Sequence, residues 1–73
     1  MHTTTDRVIA ANIARLADER RLTVAALARS TGVISPERLR QCITGRASML
    51  GPEVEAVAAA LGVEASDLAR EAA

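Results

Sequence analysis

A short segment near the middle of the chain carries hydrogen-bonding side chains at helical spacing. Placed at about 100° per residue, Leu39, Cys42 and Ile43 fall on one side of a helix over residues 36–44, with Arg38 on the flank. The polar residues that fall on the opposite side are Glu37, Arg40, Gln41 and Thr44. Arginine can donate two hydrogen bonds to guanine, glutamine can pair with adenine, and a carboxylate can accept from the cytosine amino group. The segment therefore predicts a helix that reads base edges in the major groove of duplex DNA.

Within this segment we expect Arg40 and Gln41 to contact bases directly. Glu37 and Arg38 are the next candidates, and Pro36 offers an apolar contact to a thymine methyl group. A simpler interpretation pairs Glu37 with Arg40 or with Gln41 along the helix, an interaction worth about 0.2–0.5 kcal/mol. Phosphate contacts supply affinity and register. The candidates for phosphate contacts are Thr23, Thr44, Arg46 and Ser48.

The residues before this helix predict another helix and a turn. Thr23 is a good N-cap for a helix over residues 24–31, and Gly32 ends that helix because glycine adopts a left-handed backbone at little cost. Ser35, followed by proline at the first helical position, starts the next helix. We expect Val33 to fill the corner between the two helices. Two short helices joined in this way predict a helix-turn-helix.

Three further helices are predicted from apolar periodicity and from the positions of glycine and proline. They cover residues 6–21, 52–61 and 65–72. The 73-residue chain has no aromatic residue, so its core must consist of aliphatic side chains. A chain of this length has room for one core. The predicted fold class is therefore all-α, a compact five-helix helix-turn-helix that forms a single domain over residues 1–73.

The charges of the chain balance in total but are divided along its length. Residues 1–50 contain eight arginines and four acidic residues, whereas residues 51–73 contain one arginine and five acidic residues. The first part therefore has a net charge of +4 and the second a net charge of −4. This division indicates one side for a polyanion and another for a different contact. Chance sorting in a small domain is the alternative explanation.

Several functions are disfavoured by what the chain contains. We find no nucleophile–base pair, carboxylate dyad, glycine-rich phosphate loop or metal-ligand spacing, and we expect no enzyme activity, metal, cofactor or small-molecule effector. The lone cysteine, Cys42, cannot form an internal disulfide and takes an inward position suited to a small apolar residue. No apolar run approaches the roughly 18 residues of a membrane span, and residues 1–6 do not form a signal peptide. The expected location is the cytoplasm of a bacterium or of a phage-infected host.

The predicted helices are accompanied by a set of residues in a definite order. The set comprises residues 13–16, Leu22, Thr23, Leu27, Ala28, Gly32, Val33, Ser35, Leu39, Cys42, Gly45 and residues 57–63. This ordered set spans about residues 6–69 and resembles the lambda-repressor/Cro-like helix-turn-helix family of DNA-binding proteins. The resemblance implies the fold of that family, double-stranded DNA as the partner and transcription regulation as the function. Within the family, a phage Cro-like protein or a compact immunity repressor is the nearest type.

Three positions depart from the family pattern. Val24 stands where the family often has a glutamine that binds phosphate, and here only the backbone N–H could do so. Ile34 adds one residue to the turn, which would lengthen it and tilt the recognition helix. Ile43 stands where the family often has an acid that pairs with a basic residue at the position of Ala17. An apolar pair is physically reasonable there, because packed apolar groups can replace a buried ion pair without loss of stability.

One recognition helix reads only a few base pairs, so we expect a homodimer on DNA with half-sites about one helical turn apart. Its interface should use the acidic second part of the chain and the residues just before it. The apolar candidates for that interface are Met49, Leu50, Val63 and Leu68. Met49 and Leu50 are explained equally well as exposed loop residues or core fillers. Two alternatives to a sequence-specific regulator remain: an antitoxin-type autoregulator, and a helical protein-interaction module, which Val24 and the zero net charge favour.

Overall fold

The computed structural model describes residues 4–71, and this range contains five α-helices and no β-strand. The helices are α1 (Thr4–Glu19), α2 (Val24–Thr31), α3 (Pro36–Ile43), α4 (Gly51–Leu61) and α5 (Ala65–Leu68). The predicted all-α class with five helices is confirmed. Residues 1–3 and 72–73, which belong to the predicted single domain and, for residue 72, to the predicted fifth helix, lie outside the described residues.

The core is one cluster of buried apolar side chains to which all five helices and the turn after α2 contribute. Its members are Ile13, Ala17, Leu27, Ala28, Ile34, Leu39, Val57, Ala58, Leu61 and Leu68. The described part of the chain measures 26 × 25 × 20 Å. Within it, α2 packs against α3 and α4, and α1 packs against α3, α4 and α5. The helix that carries the polar segment is therefore held from two sides.

α1 ends earlier than residue 21, the predicted boundary, because the backbone reverses there. Arg21 has a φ of 55° and is the one non-glycine residue in the described range with a positive φ. The N–H of Leu22 donates to the carbonyl of Ala17 at 2.8 Å. This hydrogen bond closes the helix end in the manner of a Schellman motif.

The turn between α2 and α3 buries Ile34 rather than Val33. Val33 is 67% exposed and Ile34 is 7% exposed, so the prediction that Val33 fills the corner is wrong. The N–H groups of both residues donate to Thr31 Oγ1 at 3.2 Å. These bonds hold the turn in a conformation that directs the second apolar side chain inward. Ile34, expected to lengthen the turn and tilt the recognition helix, belongs to the core that sets α3 against α2.

α5 ends at Leu68 and is shorter than the predicted helix over residues 65–72. At this end a buried side-chain amide from α1 donates to the carbonyl groups of Leu68 and Arg70. Asn12 Nδ2 donates to Leu68 O at 2.7 Å and to Arg70 O at 2.8 Å. Asn12 is 4% exposed, and its Oδ1 accepts from Arg15 at 3.3 Å. Both polar atoms of this buried side chain are thus satisfied, as burial requires. The sequence pattern did not single out Asn12.

A pair of substitutions in the turn tests the assignment of Ile34 to the core. We expect Ile34→Ala to lower the free energy of unfolding by about 2–4 kcal/mol, because it leaves a cavity in the core. Val33→Ala removes an exposed side chain and should change it by less than about 0.5 kcal/mol. Chemical denaturation followed by far-ultraviolet circular dichroism measures both. Equal losses in the two variants would contradict the assignment.

Candidate nucleic-acid interface

Side-chain caps and a glycine fix the two helices of the helix-turn-helix. Thr23 Oγ1 accepts from Ala26 N at 3.0 Å, and Ser35 Oγ accepts from Arg38 N at 3.1 Å. Gly32 ends α2 with a φ of 71°. The predicted N-caps and the predicted helix end are confirmed, and together they fix both ends of α2 and the start of α3.

The two sides of α3 differ as the helical spacing predicts. Leu39 and Cys42 are buried, and Ile43 is half-buried against the core. The polar residues of the other side are exposed or half-exposed: Glu37, Arg40, Gln41 and Thr44. The outward side of α3 is therefore almost entirely hydrogen-bonding.

This outward side and the residue that follows it border a shallow depression of about 220 Å³, which we call the α3 face. It is lined by Glu37, Arg40, Gln41, Thr44 and Arg46. Arg40 Nη1 lies 3.1 Å from Glu37 Oε2, in an ion pair whose side chains are 53% and 71% exposed. Thr44 Oγ1 donates to Arg40 O at 2.9 Å. The structure thus brings together three predicted base-contacting residues and two predicted phosphate-contacting residues.

A reversal of the chain at Gly45 places Arg46 beside the end of α3. Gly45 has a φ of 89°, a left-handed conformation that glycine adopts without a steric penalty. The N–H groups of Arg46 and Ala47 donate back to the carbonyl of Gln41 at 2.8 and 3.2 Å. Because those N–H groups are engaged, an anion at this end of the helix would be bound by side chains.

Arg38 does not line the α3 face; it joins α3 to α4. Its Nε and Nη2 donate to Glu53 Oε2 and Oε1 at 3.1 and 3.0 Å, and Nη2 also donates to Ser48 O at 3.0 Å. The side chains of Arg38 and Glu53 are 34% and 15% exposed. To contact a base, Arg38 would have to give up these bonds from Nε and Nη2. The structure therefore separates Arg38 from the other predicted base-contacting residues.

Glu53 is the acceptor at the centre of this connection. Its Oε1 also accepts from Leu50 N at 2.8 Å, across the first turn of α4. The hydrogen bond from Arg38 is the largest influence on its carboxyl group and holds the pKa of Glu53 below its usual value, against the opposing effect of burial. The same hydrogen bond raises the pKa of Arg38. The two side chains stabilise each other in their charged forms.

Ser48, a predicted phosphate contact, lies in the loop that Arg38 holds. Its Oγ donates to Asp6 Oδ2 at 3.1 Å, and its carbonyl accepts from Arg38. The loop over residues 44–50 is therefore tied to α1 through a side chain and to α3 through the backbone. Arg46 is carried on this loop, so its position depends on both ties.

The remaining predicted contacts lie at helix starts. Thr23 is exposed at the start of α2, where its hydroxyl serves as the cap, and Pro36 is half-buried at the first position of α3. Neither residue lines the α3 face.

The four residues predicted at a dimer interface differ in exposure. Leu68 is fully buried, so its assignment to an interface is wrong: α5 packs its one large apolar side chain into the core. Met49 and Val63 are half-buried against the core. Leu50 is 63% exposed and is the candidate with most of its surface available.

Other kinds of site find little support in residues 4–71. No group of three or more His, Cys, Asp or Glu side chains in that range is placed to hold a metal ion. Cys42 is buried, and this burial is the main reason that the pKa of its thiol lies above the usual value. No helix in the described range has the length and apolar character needed to cross a membrane.

Comparison with known proteins identifies the fold. The chain matches no protein-family model, and its sequence matches no curated protein. Its fold matches the crystal structure of the clp gene regulator ClgR from Corynebacterium glutamicum with a TM-score of 0.81, over 93% of this chain and 71% of that one, at 20% identity. The chain therefore has the fold of a helix-turn-helix regulator. At this identity the likeness shows the fold alone, and membership of the lambda-repressor/Cro-like family stays a prediction.

The connection between Arg38 and Glu53 predicts a dependence of stability on pH. Folding lowers the pKa of Glu53. The resulting stabilisation of the folded state is therefore present above the pKa of glutamate in the unfolded chain, about 4.3. It is lost as the pH falls through the lower pKa that Glu53 has in the folded state. We expect Glu53→Gln to lower the free energy of unfolding at pH 7 and to reduce its decline in acid. Glu55→Gln, at an exposed neighbouring position on α4, is the control, and an equal effect from it would contradict the prediction.

Proposed function

We propose that this protein is a sequence-specific regulator of transcription that binds double-stranded DNA and places α3 in the major groove. One observation carries the proposal: the α3 face gathers Arg40 and Gln41, the side chains best suited to guanine and adenine, next to Arg46. The fold supports it, because the same arrangement of helices occurs in a gene regulator.

Base contacts in this proposal come from the middle of α3. Arg40 reads guanine and Gln41 reads adenine. Glu37 lies 3.1 Å from Arg40 and orients its guanidinium before DNA binds. When DNA is bound, the carboxylate of Glu37 either keeps this ion pair or accepts a hydrogen bond from a cytosine amino group. Pro36, at the first position of α3, contributes an apolar contact to a thymine methyl group.

Phosphate contacts come from the edges of the α3 face. Arg46 supplies a positive charge just beyond α3. The hydroxyl of Thr44 gives up its bond to the carbonyl of Arg40 and donates to a phosphate instead. Thr23 and the N–H groups at the start of α2 form the second contact, since a helix start attracts anions. In this proposal Ser48 and Arg38 support the site from behind: the bond of Ser48 to Asp6 and the bond of Arg38 to the Ser48 carbonyl hold the loop that presents Arg46.

Two copies of the chain bind together in this proposal, because one α3 face spans only a few base pairs. Of the predicted interface residues, Leu50 is the most exposed, with Met49 and Val63 beside the core as minor contributors. The resemblance of the sequence to lambda-repressor and Cro proteins favours a Cro-like protein or compact repressor as the form of regulation. A helical protein-interaction module is the competing function, and the acidic second part of the chain favours it.

Three arginine substitutions test the division between base and phosphate contacts. We expect Arg40→Ala to cost about 1–3 kcal/mol on the preferred DNA and to relax sequence choice at one position. Arg46→Ala should weaken all sequences alike and reduce the slope of log affinity against log salt by about 1. Arg29→Ala, at an exposed residue of α2 outside the α3 face, is the control.

Mobility-shift titrations over a range of salt concentrations measure these effects. Wild-type protein that ignores duplexes even in dilute salt would contradict DNA binding and favour the protein-interaction module. If the wild-type protein binds DNA and both Arg40→Ala and Arg46→Ala bind it equally well, the assignment of the site is wrong.

Selection of bound sequences from a random duplex pool tests the symmetry of the complex. We expect a palindrome whose half-sites lie about 10 base pairs apart, centre to centre. A single short site without symmetry, bound at one protein per duplex, would exclude the homodimer.

A further inference from the structure

A second groove, distinct from the α3 face, runs between α1 and the end of α3. Its volume is about 560 Å³, and its walls include Arg7, Ala11 and Ala14 of α1 and Thr44 and Gly45 beyond α3. We call it the α1–α3 groove. Thr44 also lines the α3 face, so the two depressions are neighbours on one surface.

The charge of this groove is positive and uncompensated. Arg7 is exposed, and no carboxylate lines the groove with it. Arg7 forms no ion pair within residues 4–71, whereas Arg15, Arg38, Arg40 and Arg70 each pair with an acid.

The nearest acid in sequence does not share the groove. Successive helical residues project about 100° apart. Asp6 accepts a hydrogen bond from Ser48 and lines an adjoining small cavity with Cys42 and Met49, not the groove itself. The charge of Arg7 is therefore presented without a competing carboxylate in the groove.

The groove is also open where it meets the α3 face. A Cβ built on Gly45 would have no heavy atom within 4 Å. Apart from Arg7, the side chains along its α1 wall are alanines, which leave room for a chain to approach the helix. A strand passing the end of α3 can therefore continue into the groove, where Arg7 is the one long side chain on the α1 wall.

We propose that the α1–α3 groove binds the sugar–phosphate backbone of the same DNA duplex, with Arg7 pairing with a phosphate. This inference rests on the proposed function. A duplex with α3 in its major groove, about 12 Å wide, has a strand beside the end of that helix, where Thr44 and Arg46 lie. The next depression along the surface is this groove. Its one charged wall residue, Arg7, is complementary to a phosphate.

Arg7→Ala, compared with Arg20→Ala, tests the proposal. Arg20 is exposed and lies just past the other end of α1, about 20 Å away by helical rise. We expect Arg7→Ala to raise the dissociation constant about 3- to 10-fold on every duplex and to reduce the salt slope by about 0.9, the value for one phosphate contact. Arg20→Ala should stay within about twofold of wild type, since it removes no phosphate contact.

The outcomes separate this inference from the proposed function. If Arg46→Ala weakens binding but Arg7→Ala matches Arg20→Ala, the groove is not used and the DNA-binding function stands. If Arg7→Ala alters sequence preference rather than general affinity, the phosphate assignment is wrong. If wild-type protein binds no duplex, the proposed function and this inference fail together.

A charge placed in the groove gives a second, independent measurement. Ala14 is exposed, so Ala14→Glu and the neutral control Ala14→Gln should both fold, as circular dichroism can check. We expect Ala14→Glu to weaken DNA binding about tenfold more than Ala14→Gln at low salt, with the difference shrinking as salt screens the charge. Equal binding by the two variants would overturn the proposal.

Discussion

Two helices of eight residues each carry the proposed recognition surface, and helices of that length are not stable in water on their own. Their geometry therefore depends on burial of their inner sides. Leu27 of α2 and Leu39 of α3 have no exposed surface, and Ile34 closes the corner between them. The outward side of α3 can be almost wholly polar because these few aliphatic side chains supply the packing that holds the helix in place.

A polar connection complements this apolar packing. The bonds from Arg38 to Glu53 and Ser48 join α3, the loop after it and α4. The first residues of the loop donate backbone hydrogen bonds back to α3, and the rest of the loop is held by the contacts of Arg38 and by the bond from Ser48 to Asp6. Arg38, which the sequence analysis places among the base-contacting candidates, is bonded in the structure to the loop that carries Arg46.

The sequence predicted the features that are encoded locally. The capping hydroxyls of Thr23 and Ser35, the glycine at position 32 and the two sides of α3 all follow from rules that span a few residues. The direction of Arg38 could not be predicted, because a residue on the flank of a helix turns toward whichever element lies beside it. The choice between Val33 and Ile34 depends on one hydroxyl in the turn, and a turn has no periodicity to reveal it. The burial of Leu68 depends on where α5 docks, and the sequence pattern does not specify that.

Asn12 has a consequence for the dynamics of the whole domain. Its hydrogen bonds reach residues 56 and 58 positions further along the chain, so one side chain closes a loop that contains α2, α3 and α4 entirely. Separating α1 from the end of α5 breaks both hydrogen bonds at once, at a net cost of about 0.5–1.5 kcal/mol each. Local fraying at either end of this loop is thereby coupled to loss of the core. Backbone amides in α3 should then exchange with solvent mainly through global unfolding.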